Sequence, residues 1–326
     1  MHRDEHHDRS HAMTTAPART AVQSLSLTWR ERARQWLDSE PVLAYLFMSP
    51  GWLILLLFMS YPFFLGIWIS LTDRTVGFPG GEFVGLRNYR ELLHDGVFRL
   101  TVINTFIYGF VTVPFKLLLG LLLALLLNQM FPLRNVLRAA LLLPWIVPTA
   151  LSSLAWLMLY DAVLSPFSWM LKNWGLIESN IAFLGTRTNA IISLCIANIW
   201  RGTPFFAVAI LAGLQAVPQE LHEAAAIEGA NSLQRFFAVT LPVIKGIIVI
   251  TTLFSIIWTF ADFQLVYVLT KGGPANSTHI FGTFAWQEGI GGAGKLGMGA
   301  AVSLYMFPVL AVLSALLLRY VRSQEA

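Results

Sequence analysis

The sequence predicts an all-α fold that crosses a membrane six times, and three observations carry that prediction. Of its 326 residues, 56% are hydrophobic and only 12% are charged, and the mean hydropathy is +0.63, which excludes an ordinary soluble domain. The apolar residues fall into six runs, each near the ~20 residues that a helix needs to cross a bilayer. One long polar stretch, 217–242, lies between two of those runs in the second half of the chain. The single cysteine, Cys195, lies inside an apolar run. It excludes a disulfide framework and a cysteine-based metal site and is read as a packing residue.

In chain order, residues 1 to about 24 are polar and include His2, His6, His7 and His11. They are too poor in apolar residues to build a core and are read as a disordered cytoplasmic tail. Met13 is an alternative start that would remove the histidines. No short apolar core with a small-residue cleavage site marks a signal peptide. Over 25–37, Leu25, Trp29, Ala33, Trp36 and Leu37 lie near one helical face with Arg30, Arg32 and Arg34 elsewhere, as in a helix lying at the lipid surface. The spans follow at 43–71, 100–127, 139–160, 189–215, 243–269 and 298–319. This divides the chain into a tail with its interfacial helix (1–40), a first span with its outer loop (41–99) and a core of five spans (100–320). The net charge of +4 comes from basic residues scattered between apolar runs. They form no stripe, so a nucleic-acid partner is not expected. The inner loop at 128–138 has two arginines and no acid, which favours cytoplasmic termini by the positive-inside rule.

The polar stretch reads as a hook of two helices. Glu223, Ala224, Ala225 and Glu228 belong to a short helix of good helix formers. Gly229 supplies a residue able to end it in a left-handed conformation. Asn231 or Ser232 can cap a second helix carrying Leu233, Phe236, Phe237 and Val239 on its apolar side. Pro242, after Leu241, is expected to stop that helix before the fifth span. Exposed carboxylates and apolar knobs held between two spans suit a surface gripped by another protein.

Glu223-Ala224-Ala225, Gly229-Ala230 and Leu241-Pro242 resemble the EAA loop of permease subunits of bacterial binding-protein-dependent ABC importers; Glu228 stands where that family usually has Asp. Landmarks along the rest of the membrane part extend the resemblance. They include Tyr61-Pro62, Gly85 to Tyr89, Asn104-Thr105, Gly120-Leu121, Ala124 to Asn128, Arg138, Pro144, Pro148, Asn198 to Pro204 and Leu269 to Pro274. The chain is most similar to the first-named permease subunits of the maltose and glycerol-3-phosphate type. The resemblance implies a type I importer transmembrane domain with a cytoplasmic EAA coupling loop in a cell (inner) membrane. Its implied partners are a second homologous permease subunit, a dimer of cytoplasmic ATPases that carries the ATP and magnesium, and an extracytoplasmic solute-binding protein.

Other motifs fail. Gly289 to Lys295 fits the start of a phosphate-binding loop, but Leu296 stands where Ser or Thr must meet magnesium. His222-Glu223 begins a zinc-protease motif, but Ala226 stands in place of its second histidine. No cofactor of the chain's own is therefore expected, and no catalysis.

The polar residues inside the later spans are more informative, because a central Arg or Asp usually faces a cavity or a partner. Arg201 lies beside Asn198, Trp200, Gly202 and Pro204 in the fourth span, where Pro204 can kink the helix. Ser255, Trp258 and Thr259 precede Asp262 by seven, four and three residues, which puts all four on one helical face. That face offers hydrogen-bonding groups for hydroxyls and an indole for a sugar ring. By resemblance, the sugar-lining positions are Asn198, Arg201, Gly202 and Phe205, with Ser255, Trp258, Thr259 and Asp262. Arg201, Thr259 and Asp262 depart from the maltose-type residues, and Arg201 with Asp262 also reads as an interhelical ion pair. Lys116 is expected to snorkel or pair rather than meet substrate. The expected function is ATP-driven import of a carbohydrate or related polyol phosphate. An ion-gradient-driven carrier is the main alternative, although no inverted repeat supports it. A membrane-embedded enzyme would need a catalytic constellation within the spans, and none is present.

Overall fold

A computed structural model describes Trp29 and residues 39–78 and 80–325, with the side chains of 324 and 325 excepted. The histidine tract lies outside the described residues, as does most of the surface helix read over 25–37. The chain divides into two compact units, Met1–Pro62 and Phe63–Ala326.

Apart from Trp29 and Ser39, the described part of the first unit is helical: α1 (Glu40–Leu55) opens at Pro41 and passes into a π-turn at Leu56–Ser60, which Tyr61 and Pro62 follow. None of its side chains is buried. The π-turn ends two residues before Pro62. Proline lacks an N–H and its ring presses on the carbonyl four residues earlier, so a locally wider turn lets the helix continue.

The second unit begins in α2 (Tyr61–Ser70). An outer loop then carries two isolated antiparallel bridges, Thr72 with Phe83 and Thr75 with Phe78. Asn88, on α3 (Arg87–His94), holds this loop by donating to the Ser70 and Thr72 carbonyls at 2.8 Å each. The core follows as α4 (Gly96–Asn128), α5 (Arg134–Ile146), α6 (Thr149–Leu159), α7 (Pro166–Asn173) and α8 (Arg187–Gln215). Asp95 caps α4, its carboxylate accepting from the Val97 and Phe98 amides. Thr186 caps α8 in the same way through the Asn189 amide. Next come α9 (Gln219–Ile227), α10 (Ser232–Arg235), α11 (Leu241–Phe260), α12 (Gln264–Leu269), α13 (Phe281–Trp286) and α14 (Leu296–Glu325).

Five helical stretches among the described residues are long and apolar enough to cross a membrane: Glu40–Ser70, Gly96–Asn128, Arg187–Gln215, Ser232–Phe260 and Leu296–Ser323. The bent pair α5 and α6 makes a sixth if it counts as one span. Here the structure corrects the straight span read over 139–160, because α5 and α6 meet at 93°. Pro148 restricts Val147 to an extended backbone, with ψ at 129°, and ends α5 there. A second correction concerns 243–269, which is not one helix: α11 ends at Phe260 and α12 starts only at Gln264.

α4 and α8 lie side by side with little between them. A β-carbon at Gly120 would overlap Phe206 of α8 and come within 3.1 Å of the Ala207 backbone nitrogen. Three apolar clusters surround this pair. Tyr108, Trp156, Leu194 and Val266 join α4, α6, α8 and α12. Phe98, Phe260, Phe284 and Val302 join α4, α11, α13 and α14. Val113, Phe206, Ile210 and Ile244 join α4, α8 and α11. At the end of the bundle where α4 and α8 begin, Asn104 accepts from Arg187 at 2.8 Å and donates to the Ser277 and His279 carbonyls. It thereby ties the loop after Gly273-Pro274, a cis peptide, to both helices.

Candidate functional site

The hook is built as a helix, a left-handed glycine and a second helix. α9 ends in a Schellman arrangement: the Ala230 amide donates to the Ala225 carbonyl and the Gly229 amide to the Ala226 carbonyl, both at 3.0 Å. Gly229 has a φ of +82°, which fits glycine far better than any residue with a β-carbon. Asn231 then caps α10 in a reciprocal box. Its side chain accepts from the Gln234 amide at 2.9 Å, and Gln234 accepts from the Asn231 amide at 2.8 Å. Glu223, Ala224 and Glu228 are exposed and Ala225 is half-buried. Around them stand Ile227 at 88% exposure, Leu233 at 68% and Phe237 at 58%, an apolar edge left uncovered by the described residues.

Pro242 does not stop the second helix. α10 runs through a π-turn at Phe236–Thr240 into α11, and Leu241 and Pro242 lie inside one continuous stretch, Ser232–Phe260. The π-turn makes room for the proline, as it does before Pro62. The consequence is mechanical. Twenty-nine residues at about 1.5 Å each make one helical rod of roughly 43 Å between the hook and the middle of the bundle. Likewise, α8 runs unbroken through Pro204 to Gln215, just before the hook.

Between α8 and α11 lies a polar cavity of about 690 Å³. Asn198, Arg201, Gly202 and Phe205 line it from α8, and Ser255, Trp258 and Thr259 from α11. Asp262 lines it from the break after α11, so all eight sequence-selected residues meet in one place. Trp145 and Thr149, flanking the bend between α5 and α6, complete one wall. Trp258 is half exposed, with its ring 4.9 Å from that of Phe205.

Asp262 is a hub. Its Oδ2 accepts from Tyr108 at 2.9 Å, Asn198 at 3.0 Å and Arg201 at 3.1 Å. The ion pair with Arg201 is therefore present, and Arg201 also donates to Thr149 at 3.0 Å. Lys116 was missed as a cavity residue. It is 3% exposed, lines the cavity and donates to Thr259 Oγ1 at 2.9 Å. Its position carried the signal: it lies twelve residues before the end of α4, about 18 Å along the axis, too far for its amine to snorkel to an interface.

A larger groove of about 1020 Å³ runs between α4, α5 and α8, lined by residues such as Val111, Leu119, Leu141 and Ile196. Its walls are nearly all apolar. A hydroxylated solute would lose its hydrogen bonds there without replacement, whereas the polar cavity has groups that can replace them.

Residues 116–324 match the family of binding-protein-dependent transport system inner membrane components. The chain belongs to that family. It is 37% identical over 268 residues to the trehalose/maltose transport system permease protein MalF of Thermococcus litoralis, covering 82% of this chain and 90% of that one. It is 33% identical over 297 residues to the sulfoquinovosyl glycerol transport system permease protein SmoG of Agrobacterium fabrum, covering 90% and 95%. A crystal structure of a bacterial ABC transporter that imports alginate matches in fold, with a TM-score of 0.73 and 19% identity over 91% of this chain and 98% of that one. This chain is thus a multi-pass permease subunit of an ABC importer. It is not an enzyme, and in such importers the ATPase is a separate subunit.

Proposed function

We propose that this permease subunit carries a carbohydrate across the inner membrane, delivered by an extracytoplasmic binding protein. It pairs with a second homologous permease subunit, and a dimer of cytoplasmic ATPases holding ATP and magnesium grips the two hooks. The observation that carries this reading is the cavity. It sets an indole and a phenyl ring, Trp258 and Phe205, beside Asn198, Arg201 and Thr259, flat apolar faces next to groups that exchange hydrogen bonds with hydroxyls. The names of the relatives, which specify trehalose, maltose and sulfoquinovosyl glycerol transport, support the same class.

In this reading, closure of the ATPase dimer moves the hooks. The hook connects to α8 at one end and continues into α11 at the other, so its motion shifts the two cavity walls against each other. Substrate then meets an outward-open cavity, and hydrolysis resets it. The complete transporter in proteoliposomes is expected to accumulate a labelled disaccharide with ATP, and to continue when ion gradients are collapsed by ionophores. Trp258→Ala is expected to lower that uptake about two- to tenfold, the equivalent of roughly 0.5–1.5 kcal/mol of ring packing. Uptake that stops with the ionophores and ignores ATP would instead establish an ion-driven carrier.

Both termini and the hook face the cytoplasm in this reading. Cys195 is buried, so Cys195→Ser gives a quiet background for testing it. Cysteines placed at the exposed Gln219 and Ala275 are expected to react with an impermeant maleimide only from the inside and only from the outside, respectively. Labelling of position 219 on intact cells reverses the topology.

A further inference from the structure

The charges in the cavity wall do not balance. Among the described residues that line it, Lys116 and Arg201 are cations and Asp262 is the single carboxylate. Arg201 and Asp262 pair with each other at 3.1 Å. The same Asp262 oxygen also receives Tyr108 and Asn198. Lys116 makes no ion pair among the described residues. Its one hydrogen bond among the described residues is to the neutral hydroxyl of Thr259, which itself donates to the Ser255 carbonyl at 2.6 Å.

The Lys116 slot is shaped for it. A β-carbon at Gly202 would sit 2.7 Å from Lys116 Cδ and 2.8 Å from Cε, so the absent side chain is what lets the lysine stem cross α8 and reach α11. An ammonium group held 3% exposed in the middle of a membrane bundle, whose one neighbouring carboxylate, Asp262, is already paired with Arg201, is costly. A solute bringing a negative charge offsets that cost, and a neutral one does not.

We propose that the cavity takes a carbohydrate carrying one anionic group (carboxylate, sulfonate or phosphate), and that Lys116 is the specificity-determining cation that receives it. This rests on the carbohydrate reading above and narrows it. The lysine ammonium is a compact charge with three donors. One donor serves Thr259, which leaves the others for the anionic oxygens.

The test uses the complete transporter with its own binding protein in proteoliposomes. The probes are labelled maltose, glucuronosyl-glucose, maltose 6′-phosphate and the corresponding 6′-sulfonate. The binding protein is the same in every arm, so any change between permease variants reports on the membrane cavity. Wild type is expected to import at least one charged probe, and the preferred probe identifies the anionic group. Lys116→Met is expected to lower the ratio of charged to neutral uptake at least tenfold, whereas Lys116→Arg holds it within about threefold. Gly202→Ala, which displaces the lysine but keeps its charge, is expected to lower the ratio several-fold, and it serves if Lys116→Met fails to assemble. Import of maltose alone by wild type overturns the inference and leaves the carbohydrate reading standing. An unchanged ratio in both Lys116→Met and Gly202→Ala also overturns it, by reducing Lys116 to a packing residue. Failure to import any of the four sugars overturns both.

Discussion

Asp262→Asn is expected to lower the thermal stability of the assembled transporter and to remove most of its transport. The carboxylate side chain is 3% exposed and that of its partner Arg201 is 23% exposed. Breaking such a pair by neutralising one member typically costs about 3–5 kcal/mol, because the other charge stays buried. The cavity beside Arg201 admits some water, which places the loss toward the lower end of that range. The damage also extends beyond the pair. Asp262 Oδ2 receives donors from Tyr108 on α4 and from Asn198 and Arg201 on α8, while its own backbone forms the break between α11 and α12. One oxygen therefore pins the end of the long Ser232–Phe260 helix to the two helices beside it. Arg201→Gln added to Asp262→Asn removes the orphaned charge and is expected to recover stability, measured by thermal unfolding of the purified complex. Transport is expected to stay low, since Arg201 also holds Thr149 across the cavity. A single mutant with wild-type stability and no transport would show that the carboxylate serves substrate and not the fold.

The hook was legible because its chemistry is local. A left-handed glycine and an asparagine cap leave a sequence signature within ten residues, and both stand where Gly229 and Asn231 predicted them. The cavity residues were legible for a different reason: polar groups in apolar runs are rare enough to stand out, and Asn198, Arg201, Thr259 and Asp262 converge as expected. The prolines misled in both directions. Pro242 read as a stop, yet the helix passes it because a π-turn at Phe236–Thr240 absorbs its missing donor. Pro148 fell inside a run long enough to span, and there the chain bends by 93°. Whether a membrane helix breaks at a proline depends on which neighbours satisfy the freed backbone groups, and those neighbours are distant in sequence. For Lys116 the depth within its run was legible, but the slot that receives it was not. Its slot is made by Gly202, eighty-six positions later in the chain, and pattern within one helix does not reveal that pairing.

Gly229→Asp is expected to abolish coupling while leaving the subunit folded and inserted. A β-carbon at Gly229 meets nothing within 4 Å in the isolated chain. The intramolecular cost is therefore the backbone alone, about 1 kcal/mol for holding a non-glycine residue at a φ of +82°. That is too little to unfold a bundle of this size. The larger effect falls on docking. The new carboxylate adjoins Glu228 and the exposed Ile227, so a groove that receives this edge would have to desolvate a second charge with no partner, at a cost of several kcal/mol. Gly229→Ala separates the two contributions, since it carries the backbone cost without the charge, and is expected to retain partial transport. Co-purification of the ATPase and substrate-stimulated ATP hydrolysis are the readouts. The expected order is wild type, then Gly229→Ala, with Gly229→Asp at least tenfold below wild type in stimulated hydrolysis. Because the hook continues through α10 into α11, a hook that no longer docks cannot move the Trp258 wall, so substrate uptake should fall in the same order. Wild-type assembly and hydrolysis in Gly229→Asp would sink the docking role of this loop and leave the rod with nothing to drive it.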